Sequence, residues 1–408
     1  MNYSLQIWGT RIIVYAILIA FGFLMLFPFT YMMFTSVKNS NDVFHYPPRL
    51  LPYTTENGTY QDQELPLYEF EIDGETRQLI LTDDKVPHGF FTTEDRINVD
   101  DPRSSRIQAQ VPIDQAVETG ETITLTGRSG EQDEFDVYTV TVDGQSQNLL
   151  LAYRSSLDVF VDPENPEIQR YAVARTAQPV EFVDLQTQNY STVLDLNLDR
   201  ALVNTILVTI GVTIGQVITS IFGGYAFARV PFPGRNALFV LYLGSIMIPF
   251  VVLIIPMYRL MVELDWQNRL VALIVPWIFT AYGTFLMRQF FMTIPKEIEE
   301  AALLDGCSRF RILWTIFVPL SMPAVATQAI FTFLYAWNSF LWPLLIIGEG
   351  NEKNHVLTLS LIRLSNIAAD KPNLVMTGAA IAILPPIIVF ILAQKYFIES
   401  VASSAVKG

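Results

Sequence analysis

Between residues 293 and 320 a group of carboxylates stands beside a glycine: Glu297, Glu299, Glu300 and Asp305 precede Gly306, Cys307 and Ser308. Paired carboxylates can move protons, and a thiol can attack as a nucleophile when a base lies beside it. No histidine is near Cys307 in the sequence, so it reads as a small filler residue and not a nucleophile. As the single cysteine of the chain it also excludes an internal disulfide framework and any cysteine-rich metal site. His45 and His88 lack a second histidine at ligand spacing, and the many carboxylates follow no twelve-residue calcium loop, so no metal site is expected. No GxxxxGK[ST] loop is present to cradle nucleotide phosphates. The chain is expected to hold no catalytic residue and no cofactor.

The same residues do specify a shape. Pro295 suits a first helical position, where its missing N–H would lack a partner anyway, and Glu297, Glu299 and Glu300 complement the positive helix end. At 100° per residue, Ile298, Ala301, Ala302 and Asp305 share one face, along which the alanines let another backbone approach. Gly306 then ends the helix, and Ser308 caps a second one running through Ile316 toward Pro319. The product is a short helix-turn-helix with a small-residue contact face.

Composition indicates where that element stands. Hydrophobic residues make up 51% of the 408, charged residues only 16%, yet the formal net charge is -14. Residues 41–200 hold 30 Asp and Glu against 11 Lys and Arg, a net -19 that leaves +5 for the rest of the chain. An acidic soluble module is therefore segregated from a slightly basic apolar one, and no basic block for nucleic acid appears. Six apolar runs are long enough for hydrocarbon, which takes about 20 residues of helix. They are Ile12 to Phe34, Ala201 to Ala228, Ala237 to Met257, Val271 to Met287, Leu320 to Ile347 and Leu374 to Ala393. The first reads as a retained helix, because of its length, its internal Pro28 and the absence of a small-x-small site before Lys38.

Cations set the expected orientation. With the N-terminus inside, nine fall on the cytoplasmic side (Arg11, Arg229, Arg235, Arg288, Lys296, Arg309, Arg311, Lys395 and Lys407). Six fall opposite: Lys38, Arg259, Arg269, Lys353, Arg363 and Lys371. Both termini and residues 293–320 are then cytoplasmic, and residues 42–195 face outward. That outer segment reads as β, with alternating or clustered β-branched and aromatic residues. Tyr138 to Val142, then Asp143-Gly144, then a stretch ending Leu149-Leu150-Leu151 predicts a hairpin. A small antiparallel sandwich or open barrel is expected, and no repeat at solenoid spacing is evident.

At residues 300–319 the chain resembles a known family. Glu300-Ala301-Ala302, three residues, Gly306, nine residues, then Ile316 and Pro319 match the cytoplasmic EAA loop of the membrane subunits of binding-protein-dependent ABC importers. "LVNTILVT", "GGYAFARVPFPGR", "WNSFLWPLL" and the ending "QKYFIESVASSAVKG" are similar to carbohydrate importers of the maltose-transporter G type. The similarity covers about residues 1–38 and 200–408; residues 42–195 depart from it, since such permeases usually have a much shorter connection there. The resemblance implies a type I ABC importer permease, an all-α bundle of six transmembrane helices in a bacterial inner membrane. Into it, between helices 1 and 2, an extracytoplasmic β-rich domain is inserted. The domain division is then 1–38 for the N-terminus and first helix, 42–195 for the insertion, and 200–408 for the core carrying the loop at 293–320.

The resemblance further implies a second, homologous permease, two cytoplasmic ATPase subunits that bind ATP and magnesium, and an extracytoplasmic sugar-binding protein. ATPase coupling would fall to Glu300, Ala301, Ala302, Asp305, Gly306, Ile316 and Pro319, with alternating access as the mechanism. Within the spans Asn204, Thr205, Gln216, Thr219, Gln328, Thr332, Trp337 and Asn338 are the polar or ring groups. They serve interhelical hydrogen bonds, about 0.6 kcal/mol each in a bilayer, or line a sugar pathway; Trp337 and Asn338, with Thr332 and Gln328, are the pathway candidates. Two other classes compete. A channel or sensor with an outer β domain has no use for the Glu-Ala-Ala and Gly spacing, and an intramembrane enzyme needs paired catalytic groups, whereas no apolar run holds two ionisable residues.

Overall fold

The computed structural model describes residues 2–72, 74–142, 144–348 and 350–405. Asp143 of the expected turn and Lys407 of the cation count lie outside them. The chain divides into two compact units, Met1–Pro52 with Leu185–Gly408, and Tyr53–Asp184.

The first unit is helical. Its longer helices are α1 (Asn2–Thr35), α2 (Asp199–Arg229), α3 (Arg235–Gly244), α4 (Phe250–Glu263) and α5 (Ala281–Thr293). They continue as α6 (Lys296–Leu304), α7 (Met322–Trp337), α8 (Leu341–Ile347), α9 (Leu357–Ile367) and α10 (Pro372–Ala405). Among the described residues three apolar stretches are each long enough to cross a membrane: Arg11–Thr35, Gln188–Arg229, which is kinked at Leu196 and Asn197, and Pro372–Gln394. Three more are bent pairs. Arg235–Met247 meets α4 at 95°, Val271–Trp277 meets α5 at 42°, and Arg309–Leu320 meets α7 at 81°.

Proline chemistry sets several of these breaks. Pro249 has no N–H to continue a helix and holds Ile248 extended (ψ 114°), so the expected run from Ala237 to Met257 is two helices. Pro323 sits in the first turn of α7, where a missing donor costs nothing. The expected run from Leu320 to Ile347 also divides. α7 stops at Trp337 and a new helix begins at Leu341, which places Pro343 in a first turn. Thr280 starts α5 by accepting the Gly283 N–H on its side chain.

α2 is the spine of this unit. A Cβ on Gly224 would lie 2.6 Å from Met287 Cβ and 2.9 Å from the Arg288 nitrogen, so glycine there permits the close crossing with α5. The buried side of α2 carries both apolar residues (Val208, Val212, Ile221) and polar ones (Asn204, Thr205, Gln216, Ser220), and residues such as Val203, Leu207, Ile210 and Ile214 are exposed. Isoleucine, leucine and phenylalanine along α1 are exposed in the isolated chain, an arrangement suited to lipid. Where α1 ends, Asn189 donates to the carbonyls of Ser36 and Lys38, and Asn373 and Thr377 at the start of α10 donate to the same two. The buried Lys38 ammonium lies 3.3 Å from the Asp42 carboxylate. This clasp satisfies carbonyls that the end of α1 would otherwise leave without donors.

The second unit is β, and it lies within the interval expected for the inserted domain. Its strands are β1 (Tyr53–Thr55), β2 (Asn57–Tyr60), β3 (Gln63–Ile72), β4 (Glu75–Thr92), β5 (Ala109–Pro112) and β6 (Val117–Thr126). β7 (Gln132–Val142), β8 (Gln145–Val161), β9 (Gln169–Ala172), β10 (Gln178–Pro179) and β11 (Glu181–Val183) complete it. The expected sandwich or open barrel resolves, among the described residues, into one nine-stranded antiparallel sheet ordered β10-β3-β4-β8-β7-β6 with β2, β5 and β9 as side branches; β1 and β11 form a separate ribbon. The predicted hairpin is present, with Val142 opposite Gln145 and Gly144 at φ 76°.

No repeat at solenoid spacing is evident in the sequence, but the topology contains one at a longer period. β2-β3-β4-β5 and β6-β7-β8-β9 pair in the same succession, and β4 pairs antiparallel with β8 between them. Tyr68, Gly74, Leu79 and Leu81 recur 70 residues later as Tyr138, Gly144, Leu149 and Leu151, and Phe91, after a register shift, takes the place that Phe160 has in the other half. Equivalent apolar clusters follow, one around Leu79 and Phe160 and one around Leu149 and Phe91. Leu150, adjacent to Leu149 and so on the opposite face, joins a third with Phe135 and Val137.

Candidate functional site

The segment from 293 to 320 folds as its local signals require. Pro295 lies at the boundary of α6, with Glu297 and Glu299 in the first turn. Gly306 takes φ 79°, which only glycine adopts without strain. The Cys307 N–H donates to the Ala302 carbonyl at 3.0 Å and the Gly306 N–H to the Leu303 carbonyl at 3.0 Å. That pair of bonds is a Schellman stop. Ser308 then accepts the Arg311 N–H at 3.3 Å and opens the next helix. Ile316 packs against the cluster built around Phe291 and Phe317, and Pro319 follows in the last turn before the 81° bend into α7.

One expectation needs correction. Ile298, Ala301 and Asp305 are exposed together with Glu300, but Ala302 is buried and belongs to the chain's own core with Ile221, Tyr225 and Met287. The face that a partner could meet is therefore narrower by one alanine, and Leu304 stands at its tip, 89% exposed. The inner face carries a residue whose role the sequence did not reveal. Glu299, three positions before Ala302, is only 7% exposed. Its Oε1 accepts from the Tyr225 hydroxyl and from Arg309 Nη1, both at 3.2 Å, while Arg229 Nη1 lies 3.7 Å from Oε2. Arg229, at the end of α2, also donates to the Phe291 and Ile294 carbonyls at the end of α5, and stacks over the Phe317 ring at 5.0 Å. The spacing of Glu299 and Ala302 on one helix stripe was a signal; a helical wheel says which residues share a face but not which face turns inward.

The four pathway candidates do not converge. The Gln328 amide donates to the Gln216 carbonyl (3.2 Å) and to Ser220 Oγ (2.6 Å), and the Thr332 hydroxyl donates to Gln216 Oε1 (2.9 Å). Gln216 in turn donates to the Trp277 carbonyl at 2.7 Å. The bonds of Gln328 and Thr332 hold α7 on α2, and that of Gln216 ties α2 to the segment before α5. Trp337 is buried, stacks on Phe333 with ring centres 5.6 Å apart, and gives its indole N–H to the Ala382 carbonyl of α10 at 3.1 Å. Asn338 alone of the four is exposed. A cavity of about 20 Å³ bordered by Thr205, Tyr335 and Trp337 has room for one water and none for a sugar. Among the described residues no cluster of His, Cys, Asp or Glu could hold a metal.

Residues 216–403 match the family described as the binding-protein-dependent transport system inner membrane component. The chain is similar to the sn-glycerol-3-phosphate transport system permease protein UgpE of Pectobacterium atrosepticum, 35% identical over 203 residues, 50% of this chain and 72% of the relative. It is similar too to the arabinooligosaccharides transport system permease protein AraQ of Halalkalibacterium halodurans, 35% identical over 205 residues, 50% of this chain and 73% of the relative. A bacterial ABC transporter involved in the import of the acidic polysaccharide alginate aligns over 54% of this chain and 82% of its own, at 24% identity and a TM-score of 0.47. The stop at Gly306 and the helices on either side of it all fall inside the matched residues, and with relatives at this identity over more than two thirds of their length, the chain belongs to the family of inner membrane components of binding-protein-dependent transport systems.

Proposed function

We propose that this chain is the permease subunit of an ATP-driven ABC importer, forming with a second, homologous permease the pathway for a sugar or oligosaccharide delivered by an external binding protein. Family membership supports the transport role, and relatives named for sn-glycerol-3-phosphate and arabinooligosaccharides support a hydroxylated solute. Counting each bent pair as one span gives six, with both termini and α6 in the cytoplasm and the β unit outside; the cation bias supports that orientation. Two cytoplasmic ATPase subunits bind ATP and magnesium. Closing of those subunits draws the α6 helices of the two permeases together, and the spans turn to open outward. Asn338, with Trp337, Thr332 and Gln328, is assigned to the pathway in the conformations that open it.

The observation that carries this reading is α6 itself: a short helix ended by a Schellman stop, exposing Ile298, Glu300, Ala301 and Asp305. Such a helix fits a cleft, and its alanine admits a close neighbour. Ala301→Trp closes that approach by overpacking. In complexes purified with the neighbouring subunits, this variant is expected to pair with the second permease but to lose the ATPase subunits and ATP hydrolysis stimulated by the binding protein. Retention of both at matched membrane abundance would make the segment a connecting loop only. A cysteine near Ser129 labelled by an impermeant reagent from outside, and one at Ser308 labelled only after the membrane is opened, tests the orientation. The solute class is tested by offering the binding protein maltose, arabinobiose and glycerol-3-phosphate.

A further inference from the structure

Three separate elements meet at one buried carboxylate, and a fourth is tied to it through Arg229. Glu299 lies on the inner face of α6, Tyr225 and Arg229 come from the end of α2, and Arg309 opens the helix after the Gly306 turn. Arg229 adds the end of α5 through the Phe291 and Ile294 carbonyls. The burial is uneven: the side chains of Glu299 and Arg229 are 9% and 5% exposed, that of Arg309 is 42% exposed. A carboxylate removed from water needs its partners in place, and its attraction to them is stronger there than at the surface. Its geometry is therefore held firmly.

A helix that touches a partner subunit transmits motion only as far as it is fixed to something behind it. α6 is one short helix between two breaks, at Pro295 and at Gly306, and the chain could flex at both. Ala302 gives it an apolar seat, which permits sliding; hydrogen bonds and charge fix direction. We infer that Glu299 is a positioning residue for energy coupling: through Arg229 and Tyr225 it locks α6 to α2, and through Arg309 to the helix leading into α7, so that displacement of α6 moves these as one body. Glu299 faces away from the surface offered to the ATPase, so its part is distinct from that of Glu300 and Ala301. This rests on the reading of 293–320 as the ATPase contact.

The test uses the whole complex in proteoliposomes, with Mg-ATP and the co-encoded binding protein as isolated with its solute. The quantity read is the ratio of stimulated to basal ATP hydrolysis, together with recovery of assembled complex. For Glu299→Gln the ratio is expected to fall about ten-fold, within the usual range of coupling between sites, at wild-type recovery of complex. Glu299→Asp, which keeps the charge, restores most of it. Arg309→Gln, at the more exposed partner, lowers the ratio less and guards against a folding defect in the first variant; combined with Glu299→Gln it adds nothing further, as expected for one network. A wild-type ratio in both Glu299→Gln and Arg309→Gln overturns the inference. So does a loss that the aspartate does not relieve and that follows lost assembly. Ala301→Trp separates the two claims: if it leaves the ratio intact, the ATPase reading fails, whereas if it abolishes the ratio while Glu299→Gln does not, only the positioning role fails.

Discussion

Gly306 in the helical unit and Gly144 in the β unit have nearly the same backbone, φ 79° and φ 76°, and a Cβ on either would meet nothing within 4 Å. A valine costs each about the same local strain, roughly 1 kcal/mol or more. What hangs on the two turns differs. Gly144 joins β7 to β8, whose partners on both sides hold them in register whatever the turn does. Gly306 sets the direction of the chain between α6, the helix proposed to meet the ATPase, and one that leads into the bundle. If α6 has the proposed coupling role, equal strain becomes a stability cost in one unit and a loss of mechanism in the other.

The sharpest way to break this contrast is Gly306→Val, which is expected to lower ATP-driven transport at matched abundance by about ten-fold or more, the scale of a lost coupling, while the complex still reaches the membrane. Near-normal transport would place the two glycines in one class. In the β unit the largest effect should come from the core instead. Phe160 is fully buried against Tyr68 and Phe70, and Phe160→Ala is expected to cost about 3–5 kcal/mol in urea unfolding of residues 53–184 expressed alone. That fragment must first give a β circular dichroism spectrum; a disordered or helical one ends the claim of an independent fold. Gly144→Val should cost the fragment only about 1 kcal/mol and leave transport unchanged.

The smallest expected effect is acid sensitivity. Asp158 accepts the Ala174 N–H at 2.8 Å and lies 3.2 Å from Lys85, and these hold its carboxyl below the ordinary aspartate range against the cost of burial. A depressed folded-state pKa gives stability that is full above the unfolded value, near pH 4, and lost as the pH falls through the folded one. Asp158→Asn should therefore narrow the difference in melting temperature between pH 6 and pH 3; an unchanged difference would remove Asp158 from the account.

The two units were not equally legible. α6 and its turn could be read because Pro295, Gly306 and Ser308 act within a few residues of themselves. The spans could be found but not their shape, since hydropathy measures length and says nothing of direction; Pro249 and Pro343 carried that information and went unused. Glu299 was seen only as a charge near a helix end, because its partners lie 10, 70 and 74 positions away at Arg309, Arg229 and Tyr225. Trp337 and Gln328 had two uses in the sequence, and in this conformation the structure shows the interhelical one. In the β unit a hairpin was legible from its turn, but the order of strands depends on β4 meeting β8, a long-range pairing that no local pattern announces.

That pairing also defines how the β unit can be divided. A chain cut between β5 and β6 would hold a complete four-stranded quartet and still present the edge of β4, long enough to pair over residues 80–92. An open edge of that length recruits another strand. The segment it lacks has nearly the same succession of pairings as its own, so the nearest substitute in solution is another molecule of the same fragment. The covalent link between β5 and β6 is what keeps the pairing of the two quartets within one chain.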